Sequence, residues 1–147
     1  MDGKYQIIID FFKSMELYDR NFFNYIKKKT KVLDLPYEEI KDFVGCFPVI
    51  VDDKVVDFNI LLPKLNTIFD VLVYIHEYSH AIDIYDENEI FPNLMEAMFL
   101  VDYLQDDELI TQQINRIYEE LKNNESERHE IGKKVKLNKI KQHFYLN

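Results

Sequence analysis

Apolar residues recur in the first third of the chain at intervals of three and four positions, which is the spacing of one face of an α-helix. Between Tyr5 and Met15 this stripe comprises Ile8, Phe11, Phe12 and Met15. A second helix is predicted from about Leu17 to Lys29, and a short third one follows Pro36 and ends near Gly45. Residues 1–45 are therefore predicted to form a helical N-terminal part.

The pattern changes to β-branched runs after residue 45. The segments Cys46–Val51 and Val55–Leu61 flank the polar residues 52–54, so they predict an antiparallel β-hairpin over residues 46–62. Pro48 cannot donate a hydrogen bond to a neighbouring strand, which predicts that the first strand lies at the edge of a sheet.

Helical spacing returns after the hairpin. Asn66 or Thr67 is suited to cap a helix that reaches about Tyr85. A second helix is predicted from Asn93 to Gln105, which gives a helix pair over residues 65–105. Residues 106–147 are predicted as C-terminal helices, the first with a face formed by Ile110, Ile114, Ile117 and Leu121. The chain is thus predicted to be a single α+β domain over residues 1–147, predominantly helical, with a small antiparallel hairpin before the central helix.

Composition and charge limit the kinds of partner. The chain has 147 residues, a formal net charge of −9 and one cysteine, Cys46, which cannot form an internal disulfide. The acidity argues against nucleic acid as a partner, because binding to phosphates needs a basic surface. No apolar run is long enough for a membrane span and the N-terminus lacks the features of a signal peptide, so a cytoplasmic location without a membrane partner is expected. The sequence leaves the oligomeric state unknown.

The central helix contains the sequence His76-Glu77-Tyr78-Ser79-His80. His76 and His80 are one helical turn apart, so both imidazoles can bind one metal ion, and the carboxylate of Glu77 projects beside them. Charged groups in or next to this turn would compete with the metal for its ligands. The corresponding positions are all uncharged: Val73, Tyr74, Tyr78, Ser79, Ala81 and Ile82. The pattern is typical of zinc metallopeptidases and predicts one Zn²⁺ ion as cofactor.

A catalytic zinc ion normally has three protein ligands and one open position, and Glu96 is the best third candidate. Its helix, Leu94–Val101, is otherwise almost entirely apolar, and a buried carboxylate needs a compensating cation. Asp86, Asp83 and Cys46 compete for this role. Asp86 has the spacing of a metzincin ligand but lacks the glycine turn before it, because position 83 is Asp. Asp83 is better suited to contact a histidine than the metal, and Cys46 to pack as a small core residue.

His76-Glu77-x-x-His80 with Glu96 sixteen residues further on, followed by Ala97, resembles the gluzincins, which are zinc metallopeptidases with a glutamate ligand. Within that clan, residues 72–104 most resemble oligoendopeptidase F and thimet-type oligopeptidases. Ser79 replaces their usual glycine, and the chain is too short for their large helical bowl. Small metallopeptidases of the ImmA type, which also have Glu, Ala and Phe on the next helix, are a second resemblance and fit the length better.

The resemblance implies a minimal zincin-like domain that hydrolyses peptide bonds. His76, His80 and Glu96 would hold the zinc ion, and Glu77 would be the general base that takes a proton from a zinc-activated water. The partner would be a peptide or protein substrate, aligned by an edge strand at Val55–Leu61.

The oxyanion donor and the class of function stay open at this point. His129, His143 and Tyr145 are candidates for the donor, and no flanking motif selects one. The alternative function is a metallopeptidase-like zinc-binding regulatory or interaction protein without proteolytic activity, and a weaker third is a zinc-free helical protein. The intact Glu77 favours the enzyme, whereas the lack of a recognisable oxyanion motif favours the binding protein.

Overall fold

The computed structural model describes residues 3–85 and 88–104, together with positions 108, 111, 112, 115 and 119. The structure combines several helices with a small three-stranded sheet, so the predicted α+β class with predominant helix is confirmed. The elements in chain order are α1 (Gly3–Ser14), α2 (Arg20–Lys28), β1 (Thr30–Val32), α3 (Tyr37–Ile40), β2 (Gly45–Val51), β3 (Lys54–Leu62), α4 (Ile68–Ile82), α5 (Ile90–Phe99) and a π-helical segment, Leu100–Leu104.

Strands β2 and β3 form the predicted antiparallel hairpin, with Val51 paired to Lys54 across a two-residue turn. The turn residues Asp52 and Asp53 have φ angles of 52° and 63°. Two successive left-handed residues match the right-handed twist of the flanking strands, which is why such turns dominate tight hairpins. Asp tolerates this conformation because its short side chain can hydrogen-bond locally. The hairpin therefore turns at the polar break in the sequence.

Strand β3 is the central strand of the sheet, whose order is β1-β3-β2. Among the described strands β2 pairs with β3 alone, so the edge position predicted from Pro48 is confirmed. Val55–Leu61, expected to serve as an edge strand, belongs to the central strand instead: β3 pairs with β2 on one side and, at Ile60–Leu62, with β1 on the other. The sheet edge next to the central helix belongs to β2.

Strand β1 interrupts the segment 1–45, which the sequence predicted to be helical. It has three residues and runs parallel to β3, with Thr30 opposite Ile60. Helix α3 is also shorter than predicted: it ends at Ile40, and Gly45 already begins β2.

Helix α4 passes through the hydrophobic core and contacts α1, α5 and both strands of the hairpin. Val71, Ile75 and Tyr78 on this helix are at most 1 % exposed. The ring of Tyr78 stacks on Phe12 and meets Phe23 edge to face. This packing fixes the orientation of α4, and with it the direction in which its motif side chains project.

The start of α4 is fixed by a capping box. The Thr67 hydroxyl accepts a hydrogen bond from the backbone N–H of Asp70, and the Asp70 carboxylate accepts one from the backbone N–H of Thr67. These two bonds satisfy donors that a helix start otherwise leaves unpaired. Thr67, one of the two caps that the sequence predicted, is confirmed.

The C-terminal part of the chain is described only in places. Positions 108, 111, 112, 115 and 119 are helical, and the remainder of the helices predicted for 106–147, with His129, His143 and Tyr145, lies outside the described residues. Among the helices that the structure describes, none has the length and apolar character needed to cross a membrane.

Candidate metal centre

His76 and His80 project from the same face of α4. Their rings meet edge to face with centroids 4.9 Å apart, as expected for residues separated by one helical turn. The side chains are 22 % and 15 % exposed. Both rings are therefore held by the protein but can still be reached by an ion or a substrate.

Glu89, the residue directly before α5, completes a cluster with the two histidines. Its Oε2 atom lies 2.6 Å from Nε2 of His76 and 3.1 Å from Nε2 of His80. One ligand atom from each of the three residues lies within 4.8 Å of the others. The chain thus brings two imidazole nitrogens and a carboxylate oxygen to one point.

The donor set of this cluster fits a zinc ion. Two His nitrogens and one Glu oxygen are a ligand set of catalytic zinc sites. Tetrahedral zinc with bonds of about 2.0–2.2 Å places its ligand atoms roughly 3.4 Å apart. Hydrogen bonds hold the present atoms closer, at 2.6 and 3.1 Å. Binding would therefore require the Glu89 carboxylate to withdraw by less than about 1 Å, which a half-exposed side chain can do.

Glu96, the third ligand predicted from the sequence, lies on the other side of the His76 ring. Its Oε2 atom is 2.9 Å from Nδ1 of His76, and the residue is 8 % exposed. A carboxylate in this position receives the second ring N–H of a ligand histidine and so fixes its tautomer and orientation. Glu89 is thus the carboxylate beside both Nε2 atoms, whereas Glu96, the predicted third ligand, lies beside Nδ1 of His76. Sequence spacing could not reveal which ring nitrogen Glu96 would meet.

Of the other residues considered as ligands, those that the structure describes do not join the cluster. Asp83 caps the C-terminus of α4 and is not part of the described metal-ligand group. Asp86 lies outside the described residues. Sequence reasoning missed Glu89 because it falls in the predicted break between two helices, where a glutamate is most simply explained by the helix dipole. The one signal that could have found it is its place nine residues after His80, within reach of the ligand face across a short connection.

A cavity of about 370 Å³ opens in front of the cluster. It lies between α4 and the edge strand β2, and its wall combines the cluster with a mainly apolar rim. The lining residues are Val44, Gly45, Cys46, Pro48, His76, Glu77, His80, Ile84 and Glu89. The volume is within the usual range of about 300–1,000 Å³ for ligand pockets, so the cavity can admit part of a peptide chain.

Glu77 lines this cavity although it is only 7 % exposed. Burial raises the pKa of its carboxyl group, and the negative charges of Glu89 and Glu96 act in the same direction, against the opposing effect of both histidines. A carboxyl group with a raised pKa is closer to the range in which it can both accept and donate a proton near neutral pH. Glu77 therefore has the burial, position and electrostatics of a general base.

Cys46 lies on the opposite wall of the same cavity. Burial, together with the charge of Glu77, raises the pKa of its thiol to about 12. The thiol is therefore protonated at neutral pH, which disfavours direct metal ligation because thiolate is the ligand form. Its place in the wall agrees with the predicted role as a small packed residue.

The charges of the cluster favour an ion pair in the absence of metal. Burial would lower the pKa of His76, but hydrogen bonds to Glu89 and Glu96 outweigh it and raise the pKa to about 10. Burial would raise the pKa of Glu89, but hydrogen bonds from His76 and His80 hold it well below its ordinary range. A proton and a metal ion compete for the same histidine nitrogen, so metal binding is expected to strengthen as pH rises.

Comparisons with known proteins add no family to this description. Searches against protein-family models, curated proteins and solved structures found no match. The resemblance to gluzincins is therefore confined to the motif residues and their spacing, and the function has to be inferred from the geometry of the site.

Proposed function

We propose that the protein is a zinc-dependent metallopeptidase whose zinc ion is held by His76, His80 and Glu89. The observation that carries this proposal is the convergence of the three ligand atoms beside the buried carboxyl group of Glu77 in one cavity. Catalytic zinc sites have three protein ligands and a side left open, and the cavity supplies that open side. The two histidine ligands are those predicted from the sequence, and the third ligand moves from Glu96 to Glu89.

Glu77 is the general base in this proposal. Zinc at such a site supplies Lewis acidity, which acidifies water toward a pKa of about 7 and polarises a peptide carbonyl. Glu77 takes the proton of the attacking water and returns it to the leaving amine. Its burial supports this role, because a raised pKa makes the return of the proton easier.

Glu96 has a positioning role in the same proposal. The Nδ1–H group of His76 donates to the Glu96 carboxylate at 2.9 Å. A metal ion that displaces the Nε2 proton would therefore meet the Nε2 lone pair of a ring already held in place. Carboxylate–histidine–metal arrangements of this kind raise the basicity of the ligand and hold its ring in place.

The edge strand β2 supports a peptide as the substrate. Gly45, Cys46 and Pro48 of this strand line the same cavity as Glu77, and its outer edge has no strand partner among the described residues. An extended peptide can pair with such an edge through main-chain hydrogen bonds. Pro48 offers no N–H group, so we assign the main pairing to Gly45–Phe47, at the end of β2 nearest the cluster.

The second candidate function is a zinc-binding protein without proteolytic activity. The observation that favours it is the composition of the cavity wall: among its described lining residues there is no Tyr, Arg or third His to stabilise an oxyanion. Mutational loss of one such donor typically lowers kcat by about 10²–10³-fold. A site without one could retain the metal and bind a partner.

Metal analysis combined with peptide cleavage tests both candidates. The wild-type chain, Glu77→Gln and the control Glu39→Gln, which changes an exposed glutamate on α3, are purified from zinc-replete expression. We expect about one equivalent of zinc in all three proteins, because Glu77 is not a ligand. Cleavage of a peptide library, followed by mass spectrometry, should be about 10²–10⁴-fold slower for Glu77→Gln and unchanged for Glu39→Gln.

The outcomes separate the candidates. Full zinc content with equal background cleavage by wild type and Glu77→Gln supports the binding protein and excludes the peptidase. Less than about 0.2 equivalents of zinc in the wild type excludes both functions, since a site of this donor set should retain its ion.

A further inference from the structure

A second cavity, of about 440 Å³, lies on the other side of helix α4 from the histidine cluster. Tyr74 and Tyr78 contribute to its wall, and His76, which lines the first cavity, lies two positions along the helix from each of them. Positions two apart on a helix point to nearly opposite faces. The cavity is therefore separate from the candidate metal centre, and nothing in the proposed peptidase reaction uses it.

The wall of this second cavity combines apolar and aromatic side chains with one cation. Its lining residues come from α1, α2, β1, the segment before α4, and α4 itself: Tyr5, Lys27, Thr30, Val32, Leu65, Tyr74 and Tyr78. Lys27 is the only charged residue among them. Its Nζ atom lies 5.0 Å from the centre of the Tyr5 ring, and no carboxylate pairs with it among the residues that the structure describes.

Two hydroxyl groups of this wall donate to backbone carbonyls of the protein. The Tyr74 hydroxyl donates to the carbonyl of Pro63 at 2.7 Å, and the Thr30 hydroxyl donates to the carbonyl of Ile26 at 2.6 Å.

The phenol oxygens of Tyr5 and Tyr78 lie 3.2 Å apart, so one of these two hydroxyls donates to the other. Lys27, by contrast, has no hydrogen bond or ion pair with another described residue, so its N–H donors are available to a ligand.

From this arrangement we propose that the second cavity binds a small amphipathic carboxylate, with its aryl or alkyl body against Tyr74, Tyr78 and Leu65 and its carboxylate paired with Lys27. The hydroxyls of Tyr74 and Thr30 are already bonded to the backbone and those of Tyr5 and Tyr78 to each other, and the rest of the wall is largely apolar, so the body of the ligand should be apolar. The single unpaired cation selects one negative charge and disfavours a cationic ligand. The chain has a net charge of −9, so general attraction of anions by the protein does not explain such binding.

The test is an NMR titration of the full chain, treated with a chelator so that the probe cannot bind to a metal ion. The probes are 4-phenylbutyrate, its neutral amide and 4-phenylbutylamine, which share one body and differ in charge. For a ligand of about twelve heavy atoms we expect a Kd of about 0.1–1 mM for the carboxylate. Chemical-shift changes should cluster at the residues that line the second cavity. The amide should bind roughly 5-fold more weakly, the size of effect typical of an exposed ion pair, and the amine more weakly still.

Two substitutions with a matched control locate the site. Lys27→Met should weaken carboxylate binding to the level of the amide, whereas Lys28→Met, which removes the neighbouring exposed lysine on the same helix, should leave it unchanged. Val32→Trp places an indole at the half-exposed rim of the cavity and should abolish binding of both probes.

Several results overturn the proposal. These are equal binding of the carboxylate and the amide, tighter binding of the amine, the same loss in Lys27→Met and Lys28→Met, or shift changes confined to His76 and His80. The NMR spectrum of each variant reports whether it is folded, so a failure of Val32→Trp to fold leaves the Lys27 and Lys28 comparison decisive.

Discussion

Glu89→Gln and Glu96→Gln make the same chemical change on opposite sides of one imidazole ring. Glu89 faces Nε2 of His76 at 2.6 Å, and Glu96 faces Nδ1 at 2.9 Å. Each substitution removes one negative charge and leaves an amide of nearly the same shape. A comparison of the two variants therefore tests which carboxylate binds the metal and which one orients the imidazole ring of His76.

The two substitutions are expected to weaken zinc binding by different amounts. Structural zinc sites with four ligands bind with about 10–16 kcal/mol, or roughly 2.5–4 kcal/mol per ligand. Loss of the Glu89 ligand should therefore weaken zinc binding on the order of 10²–10³-fold. Loss of a supporting carboxylate typically weakens metal binding by about 10–100-fold. The amide oxygen of Glu96→Gln can still accept the hydrogen bond from His76, so we expect a loss near 10-fold, at the lower end of that range.

The assay is a competition titration of metal-free protein with zinc and a chelating dye at neutral pH, with Glu39→Gln as the control. Circular dichroism confirms that each variant is folded. A larger loss in Glu96→Gln than in Glu89→Gln would refute the assignment and restore Glu96 as the ligand predicted from the sequence. Equal and small losses would mean that neither carboxylate binds the ion.

Three further predictions concern stability and reactivity. Thr67→Ala should lower the free energy of unfolding, measured in urea, by about 1 kcal/mol because the helix cap is lost. Thr67→Ser keeps the hydroxyl and should retain most of that stability. Equal stability of the two variants would contradict the role of the hydroxyl. The hydrogen bond from Lys29 contributes most to lowering the pKa of Asp57 from 3.8 to about 2. The ionised Asp57 carboxylate should therefore stabilise the fold fully above about pH 4, and this stabilisation should be lost as pH falls toward 2. Urea midpoints should therefore fall more steeply between pH 4 and pH 2 in the wild type than in Asp57→Asn, and parallel curves would exclude this contribution. Cys46 should react slowly with iodoacetamide at pH 8 because its thiol has a pKa of about 12. Glu77→Gln should accelerate the reaction, because it removes a negative charge near the thiol. An unchanged rate would mean that the Glu77 carboxylate and the Cys46 thiol are too far apart to interact.

Much of the fold follows from local signals in the sequence. The polar break at Asp52 and Asp53 predicted the hairpin, and Thr67 predicted the start of the central helix, because both depend on residues adjacent in the chain. Strand β1 could not be predicted in this way. Its three residues have two exposed side chains, and they form a strand only because residues 60–62 of β3 lie beside them. Its conformation is set by a tertiary contact rather than by its own pattern.

The candidate site, like the fold, could be predicted only where it depends on residues close together in the sequence. The spacing of His76 and His80 fixes their relation within one helix, so the sequence was enough to pair them. The identity of the third carboxylate depends on how the connection from α4 to α5 brings Glu89 over the helix face. It also depends on which nitrogen of a planar ring meets Glu96. Neither relation is periodic in the sequence, and both required the packed arrangement of the two helices.

The central position of α4 would couple metal binding at the cluster to the stability of the fold. Core residues and residues of the cluster lie on the same helix. Binding of an ion at the cluster should therefore raise the free energy of unfolding of the whole domain. A ligand that binds the folded state alone stabilises it by about 2.7 kcal/mol at 100 times its Kd. The melting temperature of the full chain should therefore follow free zinc concentration. If the proposed site holds zinc, thermal unfolding would therefore report zinc binding before any substrate is known.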